Sequence, residues 1–234
     1  MRLQANGRDY AFPASPLVVL CLNGTDYRYI EAAVASGQAP FLAHLLTHCG
    51  CAEVNAVLPS LATPNNASII TGCPPSVHGI CGNSFINPEN GLVTPMDDPA
   101  FLRAETVLAA ASRSGARVAA VSAKEKLRPM LAHGHDGICF SAETAASAWF
   151  EFRRSSGESQ RVRAADFAGA PEPDVYSAEL SLFALRAGAG LLQELRPDIM
   201  YLSTSDTIQH HYAPGSPEAN MFFALLDPWL RRLD

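Results

Sequence analysis

Leu17-Val-Val-Leu-Cys-Leu22 runs straight into Asn23-Gly24, and Asp198-Ile-Met-Tyr-Leu-Ser203 runs straight into Thr204-Ser-Asp206. Each run is apolar at successive positions, so neither face suits water, which is the mark of a strand buried on both sides of a parallel sheet. Arg117 to Val121 reads as another such strand. Between these runs, residues 27–36, 40–48, 106–114 and 178–195 have helical character; Gly115 closes the third, and Gly188 and Gly190 lie inside the fourth. Strands alternating with helices predict an α/β fold, a largely parallel sheet with helices on both faces. Residues 50–58 contain Ala52-Glu-Val-Asn-Ala-Val-Leu58, which predicts a further strand. Pro59-Ser-Leu-Ala-Thr-Pro-Asn-Asn66 predicts a turn-rich link into Ala67 to Ile70. The polar stretch 82–100 predicts a loop or small hairpin over a site, and Pro171 to Pro173 a loop.

The 234 residues are 48% hydrophobic and 17% charged, which suits one globular domain spanning 1–234. A net charge of -6 without a basic cluster speaks against a nucleic-acid partner. The longest apolar runs are too short to span a bilayer, and residues 1–15 hold no apolar signal core, so the expectation is a cytoplasmic protein without a membrane partner. None of the six cysteines, Cys21, Cys49, Cys51, Cys73, Cys81 and Cys139, forms a CxxC pair. They read as buried free thiols rather than a zinc or disulfide framework.

In open parallel sheets, ligands gather beyond the carboxyl ends of strands. Asn23, the segment around Lys124, and Asp206 all fall at such ends. In Asp206-Thr-Ile-Gln-His210 the acid and the imidazole are four residues apart and share one face of a helix. Carboxylate plus imidazole suits zinc or another divalent ion. His211 reads as a bystander. Ser60, Thr63 and Asn65 read as turn and cap residues, although a hydroxyl at a helix start also meets the dipole end that favours a phosphoryl group.

Four stretches, taken together, resemble the phosphonoacetate hydrolase family, within the nucleotide pyrophosphatase and alkaline phosphatase superfamily. They are Val18-Val-Leu-Cys-Leu-Asn-Gly-Thr25, residues 59–72, His78-Gly-Ile-Cys-Gly-Asn83, and Ser205-Asp-Thr-Ile-Gln-His-His-Tyr-Ala-Pro-Gly215. A fifth, Ala123-Lys-Glu-Lys-Leu-Arg128, resembles the family's segment for the substrate carboxylate. The likeness runs from about residue 16 onwards. It implies an alkaline-phosphatase-like core, two zinc ions and a small phosphonate or phosphate substrate. It also implies a threonine nucleophile that attacks phosphorus and a C–P bond cleaved to acetate and phosphate. It leaves room for a homodimer. By the same likeness, Asp206 and His210 stand where ligands of the first zinc stand. Asn83 stands where a phosphoryl oxygen is hydrogen-bonded, and Lys124 and Lys126 where the substrate carboxylate is held.

Three departures qualify this expectation. Asn23 stands where the family has an aspartate ligand of the second zinc, and a neutral amide is a poorer zinc ligand. Ala62 stands where the family has its nucleophile. Thr63 is a surrogate shifted by one residue, which predicts a side chain aimed elsewhere, and Asp26 is a remote stand-in for the lost carboxylate. The likeness also implies an Asp-His pair and a further His beyond Arg231-Arg-Leu-Asp234, so the chain reads as a domain truncated at its carboxyl end. At most one well-formed zinc site is expected. The alternatives are a non-catalytic remnant binding metal or an anion, or a phosphodiesterase or pyrophosphatase of the same superfamily.

Overall fold

A computed structural model describes residues 2–153, 159–175 and 177–234. Its strands are β1 (Arg2–Ala5), β2 (Arg8–Ala11), β3 (Leu17–Cys21), β4 (Ser84–Ile86), β5 (Val93–Pro95), β6 (Val118–Ser122), β7 (Ile138–Ser141), β8 (Trp149–Arg153), β9 (Ser159–Arg163) and β10 (Ile199–Ser203). The helices are α1 (Tyr27–Ala35), α2 (Pro40–His48), α3 (Ala62–Thr71), α4 (Pro75–His78), α5 (Val107–Arg113), α6 (Arg128–Ala132), α7 (Ala164–Ala168), α8 (Glu179–Leu195), α9 (Thr207–His211) and α10 (Pro217–Leu233).

The central sheet has the order β3-β10-β6-β7, and every pairing in it is parallel. Every residue of β6 and β10 is buried. The reason is that alternate side chains of one strand feed two separate cores. Met200 and Leu202 of β10 join Phe183, Leu185, Phe223 and Leu226 of α8 and α10 on one face. Ile199 and Tyr201 join Ile70, Leu108 and Met130 of α3, α5 and α6 on the other. Helices therefore cover both faces, as the alternating pattern of the sequence predicts. Gly188 lets α8 lie close over β10, since a Cβ there would meet Leu202 Cδ1 at 2.7 Å. Asp227, buried in α10, ties α2 to this layer: its carboxylate oxygens accept from Leu42 N at 2.8 Å and Phe41 N at 2.9 Å, donors the first turn of α2 would otherwise leave unmet.

Three local expectations are corrected. Residues 51–57 form no strand; Val54 and Leu58 are 88% and 87% exposed. Alternation alone does not make a strand where no neighbour supplies the ladder. The turn-rich link at 59–66 is shorter than its residues suggest, because α3 already begins at Ala62. Pro64 sits in that first turn, where a missing N–H costs nothing. All six cysteines are free, but Cys49, Cys51 and Cys81 are exposed, with only Cys73 fully buried. The stretch 82–100 does form a small hairpin, β4 with β5. No helix among the described residues is long and apolar enough to cross a membrane.

Candidate functional site

The carboxyl ends of β3, β6 and β10 and the amino end of α3 meet around one cleft of about 50 Å³. Asn23, Ala62, Thr63, Lys124, Lys126 and Asp206 all line it. Six of the residues singled out from sequence thus come together there. Thr63 reaches the same cleft as Ala62, contrary to the expectation that one residue along the chain aims it elsewhere. His210 lies outside the lining but touches it through Asp206, with Nε2 3.3 Å from Oδ2. Asn83 is exposed at the entrance to the β4–β5 hairpin and is not among the lining residues. Gly24 allows Asp206 its position: its φ is +69°, and a Cβ there would stand 3.0 Å from Asp206 Cβ.

Asn23 is buried, and its amide is fully engaged. Nδ2 donates to Ser203 Oγ at 2.8 Å and to the Thr204 carbonyl at 2.7 Å, while Oδ1 accepts from Asn66 Nδ2 at 2.8 Å. Asn66 Oδ1 in turn accepts from Tyr201 OH at 2.7 Å and Ser203 Oγ at 3.2 Å. Burial, followed by the nearby Cys21, pushes the Tyr201 phenol well above its ordinary value, so it remains a donor. Burial likewise pushes the Cys21 thiol up to about 11, which keeps it from acting as a thiolate nucleophile. Asn66, Tyr201, Ser203 and Thr204 were not singled out from sequence. Only the fold brings them to Asn23.

The cationic wall is partly committed. Lys124 Nζ forms an ion pair with Glu143 Oε1 at 3.3 Å, while Lys126 is exposed on the turn that follows β6. Between the two lysines in the chain, Glu125 accepts from Ser141 Oγ at 2.6 Å and from Arg128 Nε at 2.7 Å. Burial alone would raise its carboxyl, but hydrogen bonds from Ser141, Arg128 and Thr144 and the charge of Arg128 together hold it below the usual range. Opposite, the N-cap residue of α3 is Leu61, which makes no side-chain cap. The first amides of α3 are therefore available to an oxyanion in the cleft.

The donor set decides what metal this cleft fits. Asp206 and His210 offer one carboxylate and one imidazole in contact. Asn23 offers no free lone pair directed outward from its network, and Asp26 is committed as the N-cap of α1, accepting from Arg28 N at 2.9 Å and Arg28 Nε at 2.8 Å. Among the described residues, no group of three or more His, Cys, Asp or Glu gathers. These residues fit one corner of a single metal site and do not fit a two-metal centre.

A family model described as type I phosphodiesterase / nucleotide pyrophosphatase matches residues 17–233. The phosphonoacetate hydrolase of Sinorhizobium meliloti 1021, solved with phosphonoacetate and with phosphonoformate, is 44% identical with a TM-score of 0.92. That match covers 100% of this chain but 56% of the solved chain, so the present sequence spans just over half the length of that protein. Murine ectonucleotide pyrophosphatase / phosphodiesterase 5 matches at 16% identity and TM-score 0.60, over 94% of this chain and 51% of its own. At that identity it attests the shared fold alone.

Proposed function

The chain belongs to the type I phosphodiesterase / nucleotide pyrophosphatase family, and from that premise we propose that its strand-end cleft binds a small carboxylated phosphonate in the manner of a phosphonoacetate hydrolase. The observation that carries this reading is the meeting of Lys124 and Lys126 with Thr63 and Asp206 around one cleft. The two ammonium groups suit a carboxylate, and the uncapped start of α3 suits the phosphonate oxygens. Lys124 would exchange its Glu143 partner for the ligand. In the family reading zinc would be held by Asp206 and His210, where it would polarise a phosphonyl oxygen.

Turnover by these residues is expected to be very low, because Ala62 has no hydroxyl with which to attack phosphorus. Calorimetric titration with phosphonoacetate, with and without zinc, together with an assay of acetate and phosphate release, tests both halves. Saturable binding without appreciable turnover is the expected result. Absence of binding under both conditions sinks the substrate assignment. Rapid release of acetate would show that Thr63 takes the role lost at Ala62. A second reading, an anion-binding domain without catalysis, is favoured by the closed network around Asn23. A phosphodiesterase or pyrophosphatase substrate is disfavoured by the paired lysines, which a simple diester does not require.

A further inference from the structure

A second, larger cavity of about 430 Å³ lies between β9, α7, α8 and α10 and shares no lining residue with the strand-end cleft. Arg161, Arg186 and Arg232 converge on it from three separate elements. Such a gathering of guanidinium groups is notable in a chain of net charge -6. Two of them stack on one indole: Arg186 Cζ lies 5.2 Å and Arg232 Cζ 4.6 Å from the ring centre of Trp229. Arg161 Cζ lies 4.9 Å from the ring centre of Trp149. Stacking uses the faces of the guanidinium groups and holds them in place, which leaves their N–H edges for acceptors.

Stacked, solvated arginines that only shield tryptophan would account for those contacts. They do not account for Arg186 Nε, a donor buried without a hydrogen-bond partner among the described residues. A buried donor left unmet is costly and calls for an acceptor. The wall also carries the carboxylates of Asp166 and Glu194. Asp166 is already paired, with Arg163 Nη2 2.9 Å from its Oδ1, and Glu194 is likewise engaged, so neither stands as a free counter-charge to the three guanidinium groups.

We propose that this cavity is a binding site for a polyvalent oxyanion of the di- or triphosphate class, held by Arg161, Arg186 and Arg232. A charged chain of two or three phosphates matches three guanidinium groups better than a single monoanion does. A cavity of this size also exceeds what one orthophosphate fills. The phosphate chain could be inorganic or carried by a nucleotide, and the recognition chemistry is the same for both.

The chain has two tryptophans, Trp149 and Trp229, and both carry an arginine of this cavity. Intrinsic fluorescence therefore reports on the site directly. The probes are inorganic triphosphate, read by fluorescence and calorimetry, and adenosine triphosphate, read by calorimetry. Potassium chloride at matched ionic strength is the control. Saturable one-to-one binding of triphosphate is expected. Arg186→Gln should weaken it roughly tenfold or more, the loss of a charge-assisted hydrogen bond. Arg232→Gln, at an exposed position that the fold tolerates, should weaken it by a smaller factor. Equal affinity for the two probes assigns recognition to the phosphate chain, and tighter nucleotide binding adds a contribution from the base. The proposal is overturned if neither probe binds, if potassium chloride gives the same fluorescence change, or if Lys124→Gln abolishes binding while Arg186→Gln and Arg232→Gln leave it intact.

Discussion

The two sides of the strand-end cleft solve the same placement problem in opposite ways. On one side Asn23 is 9% exposed, neutral and fixed by hydrogen bonds to Ser203, Thr204 and Asn66. On the other, Asp206 and His210 form an i,i+4 pair at 3.3 Å whose side chains are 35% and 71% exposed. The closed side has no unused polar capacity, whereas the open side keeps a carboxylate and an imidazole within reach of a third group. The asparagine is therefore more than a missing ligand. Its amide donates to the Thr204 carbonyl, which a carboxylate in the same place cannot do. The closed side is organised by the chain itself, and the open side is where solvent or an ion completes the structure.

The sharpest way to break this contrast is Asn23→Asp. A carboxylate in that geometry would set an oxygen against the Thr204 carbonyl oxygen at 2.7 Å and bury a charge without a cation. We expect a loss of about 2–4 kcal/mol at neutral pH without metal, and partial recovery as acidification protonates the new carboxyl. Thermal unfolding against pH measures it. An unchanged midpoint would mean that the amide network is not what holds this side together.

A second effect concerns pH in the unaltered chain. His78 is fully buried beside α3, with Nδ1 accepting from Ile80 N at 3.1 Å and Nε2 2.8 Å from Ser68 Oγ. A ring that accepts at Nδ1 is neutral there, and burial holds its pKa below 6.5. Between 6.5 and the folded value, the unfolded chain binds more protons. The stabilisation is thus complete above pH 6.5 and is lost as the pH falls through the folded value. His135 shifts in the same direction, also through burial. Melting temperature should therefore decline on acidification from about pH 7 to about pH 5.5, and His78→Asn should flatten that decline without removing it. A profile as steep in His78→Asn as in the parent would reassign the effect to His135.

Tyr201→Phe probes the closed side more gently. It removes the 2.7 Å donor to Asn66 Oδ1 but leaves Ser203 Oγ at 3.2 Å as a replacement. A cost of about 1 kcal/mol is expected, read from urea unfolding midpoints. A cost near zero would place the network's strength in the Asn23 amide alone.

The parts that were legible in the sequence share a physical cause. Strands β6 and β10 are short, apolar on both faces and buried throughout, so their burial fixes their identity. Strand β3 has the same apolar run but lies at the edge of the four-stranded sheet, where Leu17 is exposed and the rest of the strand only half-buried, so its expected burial on both faces is corrected. The Asp206–His210 pair was legible because four residues is one helical turn. The start of α3 was hidden because Pro64, Asn65 and Asn66 suit turns as well as a first helical turn. The β1–β2 hairpin was missed although Asn6-Gly7 carries its signal, with positive φ at both residues. The Asn23 network could not be read at all, since Asn66 lies 43 residues from Asn23 and 135 from Tyr201 along the chain. Tertiary closure alone creates it.

The smallest effect on stability is expected on the open side, and its smallness is informative. An exposed contact between two polar side chains gains little in water and restrains both of them, so Asp206→Asn or His210→Ala should change stability by no more than about 0.5 kcal/mol. Asp206 makes no side-chain cap on α9, so the amide removes charge without disturbing the helix start. Metal affinity should respond quite differently. A carboxylate oxygen and an imidazole nitrogen 3.3 Å apart can both reach one divalent ion, and losing either donor should lower zinc affinity at least about tenfold. Zinc titration against a competing chelator, run beside thermal unfolding of the same variants, separates the two quantities. If Asp206→Asn lowers the melting temperature as much as Asn23→Asp does, the distinction between a closed and an open side fails. If stability holds while zinc affinity falls, the open side is held for a ligand rather than for the fold.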